Sequence, residues 1–167
     1  MENTKIDVTI ATKNNEFTIG EVIRAIKEHI PYNSIIVVDD SSDKTPQIAE
    51  MLGAKVVHVE GKIGMKRIMQ ARLASTEWIA CIDSDVIIYS DWWKEVSAVI
   101  RGKKVVSVNG YLESDFRRIF PDYEDFTKFC AAFRFMFVKR IGSFSNVLIR
   151  RDALLMCENE IGNVHAG

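Results

Sequence analysis

Through residue 110 the chain alternates between two hydrophobic patterns. Short, wholly apolar runs are followed by segments whose apolar residues recur every three or four positions. The first pattern is that of strands covered on both faces, the second that of amphipathic helices. Val8-Thr9-Ile10-Ala11 predicts the first strand. Phe17 to Ile30 predicts a helix in which Ile19, Val22, Ile23 and Ile26 share one face and which stops before Pro31. Ile35-Ile36-Val37-Val38 is the second strand. The helix after it is punctuated by Thr45 as N-cap, Pro46 at the first helical position and Gly53 just past the end. Lys55 to Val59, Trp78 to Ile82, Val105 to Val108 and Ser145 to Ile149 complete the strands, with helices over Ile63 to Ala74 and Asp91 to Ile100. This alternation predicts an α/β domain: an open, mostly parallel sheet with helices on both faces.

After Gly110 the rhythm changes. Seven of the nine Phe residues fall between Phe116 and Phe137. Tyr123, Phe126, Cys130, Phe133 and Phe137 repeat at helical spacing, with Arg117, Arg118, Lys128 and Arg134 interleaved. Such a stripe is expected to face the core or to meet an apolar ligand or the membrane surface peripherally.

Composition narrows the class without naming a function. A chain of 167 residues and 19.0 kDa has the size of a single domain. With 47% hydrophobic and 27% charged residues it is not a disordered or low-complexity chain. A formal charge of −1 gives no general attraction to nucleic acid. Three widely spaced cysteines, Cys81, Cys130 and Cys157, argue against a disulfide framework and against structural zinc. No run reaches the roughly 20 apolar residues of a membrane span. A cytoplasmic setting is the expectation.

Candidate chemistry lies just past the strand ends: Thr12-Lys13-Asn14, Asp39-Asp40-Ser41-Ser42 and Asp83-Ser84-Asp85. In an open parallel sheet the ligand crevice is outside those ends, so three distant segments can converge on it. Acidic residues there also serve as helix caps, and Asp39-Asp40 alone does not separate the two roles. Asp83 and Asp85 are more informative, because two carboxylates one residue apart repel unless a cation or donors neutralise them. Mg²⁺ or Mn²⁺ suits hard oxygen ligands and keeps positions open for water and substrate phosphates. A diphosphate is then the expected ligand, with Lys62, Lys66 and Arg67 beside Gly61 and Gly64 as counter-charges. P-loop, Gly-x-Gly-x-x-Gly and Gly-x-Ser-x-Gly fingerprints are absent from the sequence. A phospho-receiver reading of Val37-Val38-Asp39-Asp40 fails because the next strand ends in Glu60-Gly61, without an acceptor Asp.

Taken together these segments resemble the nucleotide-sugar-dependent glycosyltransferases of the A-type, Rossmann-like fold, in particular the inverting family 2. Val8 to Asn14 resembles that family's opening strand and nucleotide-binding turn, and Ile36 to Asp43 its Val-Asp-Asp-Gly-Ser-x-Asp segment. Lys66-Arg67 falls at its Ala-Arg-Asn motif, and Ile82-Asp83-Ser84-Asp85 is similar to its Asp-x-Asp signature. Ser145 to Leu154 resembles the strand, basic pair and short helix that close the acceptor side. The similarity runs from about residue 6 to residue 155.

The resemblance implies a single domain over 1–167, with a nucleotide-sugar-binding half over 1–110 and an acceptor-side segment, expected to be incomplete, over 111–167. It implies a UDP- or GDP-linked sugar donor, an acceptor hydroxyl, and Mn²⁺ or Mg²⁺; the Phe-rich stripe adds a lipid-linked acceptor as one option. Ala11, Thr12 and Lys13 would border the nucleobase and ribose, and Asp40 would accept a base N–H. Arg67 would reach the diphosphate, Ser84 would line the nucleotide, and Asp85 would ligate the metal with Asp83 towards the ribose. Ala11 and Lys13 stand where the family usually has Pro and Tyr, and Ser41 where Gly is common. The acceptor-activating base is expected beyond Gly167, with Glu158 and Glu160 as weak internal candidates. The alternative is a non-catalytic module or partner subunit that only binds the nucleotide sugar.

Overall fold

The computed structural model describes residues 5–100, 105–110 and 145–158. Two compact units divide the chain, Met1–Gly110 with Phe144–Gly167, and Tyr111–Ser143. The second unit, which holds the Phe-rich stretch, lies outside the described residues, as does Glu160.

In the first unit a six-stranded sheet has the order β3-β2-β1-β4-β6-β5. Its strands are β1 (Ile6–Thr12), β2 (Tyr32–Asp39), β3 (Lys55–His58), β4 (Trp78–Asp83), β5 (Ser107–Asn109) and β6 (Asn146–Arg150). β1 pairs in parallel with both β2 and β4, and β2 in parallel with β3. β6 runs antiparallel to β4 and to β5, so the late strand is inserted between two earlier ones. The helices among the described residues are α1 (Ile19–His29), α2 (Thr45–Met51), α3 (Ile63–Leu73), α4 (Trp92–Val99) and α5 (Arg151–Met156).

The two-residue period of the strands sorts the core into two layers. Ile6, Val8 and Ile10 of β1, with Val37, Ile82 and Leu148, pack with the apolar faces of α1 and α4. The alternate positions Ile36, Ile79, Cys81 and Val147 pack with Ala71 of α3 and Leu154 of α5. Each isoleucine buried in this way contributes about 1.5–3 kcal/mol. Helices on both faces of a mostly parallel sheet are what the hydrophobic alternation predicts, and the sheet has that form.

At α2 the start is one residue earlier than the sequence predicts, which makes Pro46 the second helical residue, and the end lies where Gly53 predicts it. Thr45 lies inside α2, with Lys44 at the cap position, because the Asp43 carboxylate accepts both the Thr45 N–H at 2.9 Å and its hydroxyl at 2.5 Å. Gly53 ends the helix with φ +77°, a conformation that a side chain resists. At the edge of the sheet Gly110 is held against Trp92 and Asn146: a Cβ there would come within 2.4 Å of the indole Nε1 and 2.6 Å of the Asn146 Oδ1.

The face of β1 turned to α3 carries polar residues, and they are satisfied. Thr9 donates its hydroxyl to the Ala80 carbonyl at 3.2 Å. Asp7, fully buried, accepts from Asn33 Nδ2 at 2.9 Å, the Ser34 hydroxyl at 2.6 Å, the Ser75 N–H at 2.6 Å and the Thr76 N–H at 3.1 Å. It thereby ties the start of β1 to the start of β2 and to the turn between α3 and β4. Burial pushes its carboxyl pKa up, but the hydrogen bonds from Ser34, Ser75, Asn33 and Thr76 together outweigh that and hold it far below the usual range. A depressed folded-state pKa contributes stability that is present above about pH 4 and is lost as the pH falls towards the folded value. Asp7→Asn, which places an amide donor among donors, should cost about 2–3 kcal/mol at pH 7 in urea unfolding. The gap should narrow between pH 4 and pH 2.5; a gap that stays constant over that range would show that the charge is not what the network holds.

Candidate active site

β1 sits between β2 and β4 in register, with Thr12 opposite Asp39 and Ala11 opposite Asp83. The carboxyl ends of three strands therefore finish at one level, and the turns that leave them are bound to one another. Asp39, buried at the end of β2, accepts the Ser41 N–H at 3.0 Å and its hydroxyl at 2.6 Å, which fixes the turn. Ser41 Oγ then accepts the Asn14 N–H at 2.7 Å, and Asn14 Oδ1 accepts the Ser42 N–H at 2.9 Å. Asn14 has φ 55°, a left-handed conformation that Asn tolerates better than most residues. Further along, the Asn15 N–H donates to Thr45 Oγ1 at 2.8 Å, and the Glu16 N–H to Asp43 Oδ2 at 3.2 Å.

The third turn is held from the same side. Asn15 Nδ2 donates to Ser84 Oγ at 2.8 Å, and the Thr18 hydroxyl to the Ser84 carbonyl at 2.8 Å. Ser84, expected to line the nucleotide, is buried and acts here as the clamp between the Asp83-Ser84-Asp85 turn and the turn after β1. Ala11 is buried within β1, where its backbone lies between Val38 and Asp83.

The charged residues form two groups. In one, Lys13 Nζ lies 3.0 Å from Asp40 Oδ2, and Lys66 Nζ lies 3.6 Å from the same oxygen and donates to the Thr12 carbonyl at 2.9 Å. The hydrogen bond from Lys13 draws the Asp40 carboxyl below its ordinary pKa; partial burial opposes this and the Lys66 charge assists it. Lys66, expected as a counter-charge for diphosphate, is thus engaged instead by β1 and Asp40.

In the other group, Arg67 of α3 pairs with Asp83 Oδ1 and donates to Gln70 Oε1 at 3.3 Å. Arg67 and Gln70 are both buried. Asp83 is therefore already compensated by a guanidinium, and repulsion between the two carboxylates does not by itself call for a divalent ion. Asp85 is exposed and makes no hydrogen bond or ion pair among the described residues. No group of three or more His, Cys, Asp or Glu placed to hold a metal occurs among the described residues.

Other candidates fall elsewhere. Glu158 pairs with Arg72 in the last turn of α3, whereas Lys66 and Arg67 lie towards its start. Its carboxylate is engaged there and is not brought to Asp40 or Asp83. Burial pushes the Cys81 thiol pKa up, so this cysteine is an inert core residue. Asn15 and Thr18 are not singled out by the sequence, although Asn, Ser, Thr and Asp clustered after a strand are residues that bond turn backbones. No helix among the described residues is long and apolar enough to cross a membrane.

An open α/β sheet with polar turns converging at a topological switch point, here between β1 and β4, defines a nucleotide-binding class of domain. The comparison with known proteins specifies it further. The model of glycosyl transferase family 2 matches residues 7–155, and the chain belongs to that family. An uncharacterized glycosyltransferase of Rickettsia bellii (strain RML369-C) is 30% identical over 154 residues, covering 86% of this chain and 49% of the relative. One from Rickettsia felis (strain ATCC VR-1525 / URRWXCal2) is 35% identical over 98 residues, covering 57% of this chain and 34% of that protein. This chain thus spans about half the length or less of these relatives. Among solved structures, glucosyl-3-phosphoglycerate synthase from Mycobacterium tuberculosis superposes with a TM-score of 0.65 at 22% identity, over 89% of this chain and 57% of that one. That enzyme has been seen in complex with Mn²⁺, uridine-diphosphate-glucose and phosphoglyceric acid; the likeness shows that the two share a fold.

The clamp through Ser84 can be measured. Asn15→Ala and Ser84→Ala should each lower stability by about 1 kcal/mol in urea unfolding. The double variant should lose about 0.5–1 kcal/mol less than the sum of the two. Strict additivity would mean that the Asn15–Ser84 bond does not couple the two turns.

Proposed function

We propose that the chain forms the donor-binding part of a metal-dependent, inverting glycosyltransferase that moves a sugar from a UDP- or GDP-linked donor to an acceptor hydroxyl, with a lipid-linked acceptor as one candidate. The observation that carries this reading is the convergence of Thr12, Asp40, the Arg67–Asp83 pair and Asp85, which has no partner among the described residues, on the strand ends of a family 2 domain. The complex of the Mycobacterium tuberculosis enzyme with Mn²⁺ and uridine-diphosphate-glucose supports it by analogy of fold.

Thr12 and Lys13 border the nucleobase and ribose in this reading, and Asp40 accepts a base N–H. Arg67, oriented by Asp83 and Gln70, presents a fixed guanidinium towards the diphosphate. The donor set fits a metal site that the substrate completes: Asp85 offers an exposed, uncommitted hard oxygen ligand, and phosphate oxygens and water supply the rest. When bound, Mn²⁺ or Mg²⁺ would supply Lewis-acid stabilisation of charge on the departing diphosphate. Arg67 adds to that stabilisation from the protein side. A carboxylate base would take the acceptor proton; Glu158, held by Arg72, is not assigned that role.

The chain as it stands is tested by calorimetry with UDP and GDP, with and without Mn²⁺. Nucleotide at 100 times its dissociation constant should raise the unfolding free energy by about 2.7 kcal/mol, read as a thermal shift. Asp85→Asn should abolish the Mn²⁺-dependent part of the affinity and leave the metal-free part unchanged. Undiminished Mn²⁺-dependent binding in that variant would remove Asp85 from the metal site.

A further inference from the structure

Lys66 is the least expected of the buried residues. It has 4% relative exposure, on a helix whose sheet-facing side also buries Arg67 and Gln70, and lysines are rarely enclosed unless paired. Its ammonium has two partners: the Thr12 carbonyl at the end of β1, at 2.9 Å, and Asp40 Oδ2 just past the end of β2, at 3.6 Å. Lys13 approaches that same oxygen from the exposed side at 3.0 Å. Two cations therefore converge on Oδ2, while Oδ1 of Asp40 has no hydrogen bond among the described residues.

A carboxylate on an exposed turn can ordinarily rotate and offer either oxygen. Here one oxygen is pinned from beneath by a buried group that is itself fixed to the strand, so the other is presented in one orientation. We propose that Lys66 is the specificity-determining positioning residue of the nucleotide site, holding Asp40 so that Oδ1 is the acceptor offered to the nucleobase with the Lys13 ammonium beside it. The inference rests on the donor-binding reading above.

An acceptor flanked by a donor, in a fixed order, distinguishes two kinds of base edge. Uracil and guanine present a ring N–H next to a carbonyl oxygen, which matches Oδ1 and Lys13. Cytosine and adenine present an acceptor ring nitrogen next to an amino group, the reverse order, and would set a lone pair against the carboxylate. The order matters only while Asp40 cannot turn. Without Lys66 the carboxylate is free to accept from an exocyclic amino group instead, and the distinction weakens. A role confined to stabilising the fold would leave base preference unchanged.

The test is calorimetric titration of the chain, in Mn²⁺, with UDP, GDP, CDP, ADP and inorganic pyrophosphate, for wild type, Lys66→Met and Lys66→Arg. Wild type should bind UDP or GDP about tenfold or more tighter than CDP or ADP, since unpaired buried polar groups discriminate strongly. Lys66→Met should bring that ratio to within about threefold while pyrophosphate affinity changes by less than about twofold, and Lys66→Arg should restore most of the ratio. If Lys66→Met fails to fold, Lys66→Gln, which can still donate to the Thr12 carbonyl but carries no charge, is read the same way. An unchanged base ratio in the neutral variant, or an equal loss for nucleotides and pyrophosphate, overturns the inference. Wild-type protein that binds all nucleotides alike overturns it and leaves donor binding standing; protein that binds neither nucleotide nor pyrophosphate overturns both.

Discussion

The position of β1 governs the rest of the molecule. It is hydrogen-bonded along both edges, to β2 and β4, and covered on both faces, so all seven of its residues are buried. A strand in that position has no access to water for its polar groups, and each must find a protein partner. At its amino end this requirement draws Asn33, Ser34, Ser75 and Thr76 around Asp7; at its carboxyl end it draws Lys66 to the Thr12 carbonyl. The anchoring network and the candidate site are two outcomes of one constraint at opposite ends of the same strand.

The contrast between those ends separates an anchoring carboxylate from those of the candidate site. Asp7 is a carboxylate whose surrounding donors come from backbone and neutral side chains, an arrangement that fixes three segments and offers nothing to a ligand. Asp40 and Asp83 are met instead by cations on α3 and on the turn after β1, and each remains partly open to solvent. Ion pairs of this kind can exchange one anion for another, whereas a saturated buried carboxylate cannot. The same helix provides both cations because Lys66 and Arg67 are adjacent on its sheet-facing side, and neighbouring residues on a helix, about 100° apart, can reach different strand ends.

Most of the architecture was legible in the chain because parallel strands buried on both faces must be apolar throughout. Ile35 to Val38 and Trp78 to Ile82 announce themselves in that way, and the polar residues that follow mark the carboxyl edge. What the pattern could not show was partnership. Asp39 and Asp40 are adjacent and chemically identical, yet one bonds Ser41 to shape the turn and the other meets two lysines; only register and side-chain direction separate them. Asp7 was unremarked because a single carboxylate near the start of a strand carries no periodic signal, and its donors come from positions about 26 and 68 residues away. The antiparallel insertion of β6 between β4 and β5 was likewise invisible, since an apolar five-residue run specifies a strand but neither its neighbour nor its direction.

Arg67 changes the electrostatic meaning of the Asp-x-Asp segment. Two bare carboxylates would attract a cation on charge alone, and a free-standing metal site would be expected to be populated without substrate. With Asp83 paired to Arg67, the local charge left for a metal is essentially that of Asp85. A single exposed carboxylate holds a divalent ion weakly, because hydration competes well at an open surface position. A diphosphate adds the missing negative oxygens, so ion and nucleotide should strengthen one another's binding to the same degree, as linkage requires. On the proposed reading, the arrangement favours metal that arrives with, or after, the nucleotide. In the proposed donor site Arg67 would have two anionic partners in succession: Asp83 while the site is empty, and Asp83 together with phosphate once it is filled.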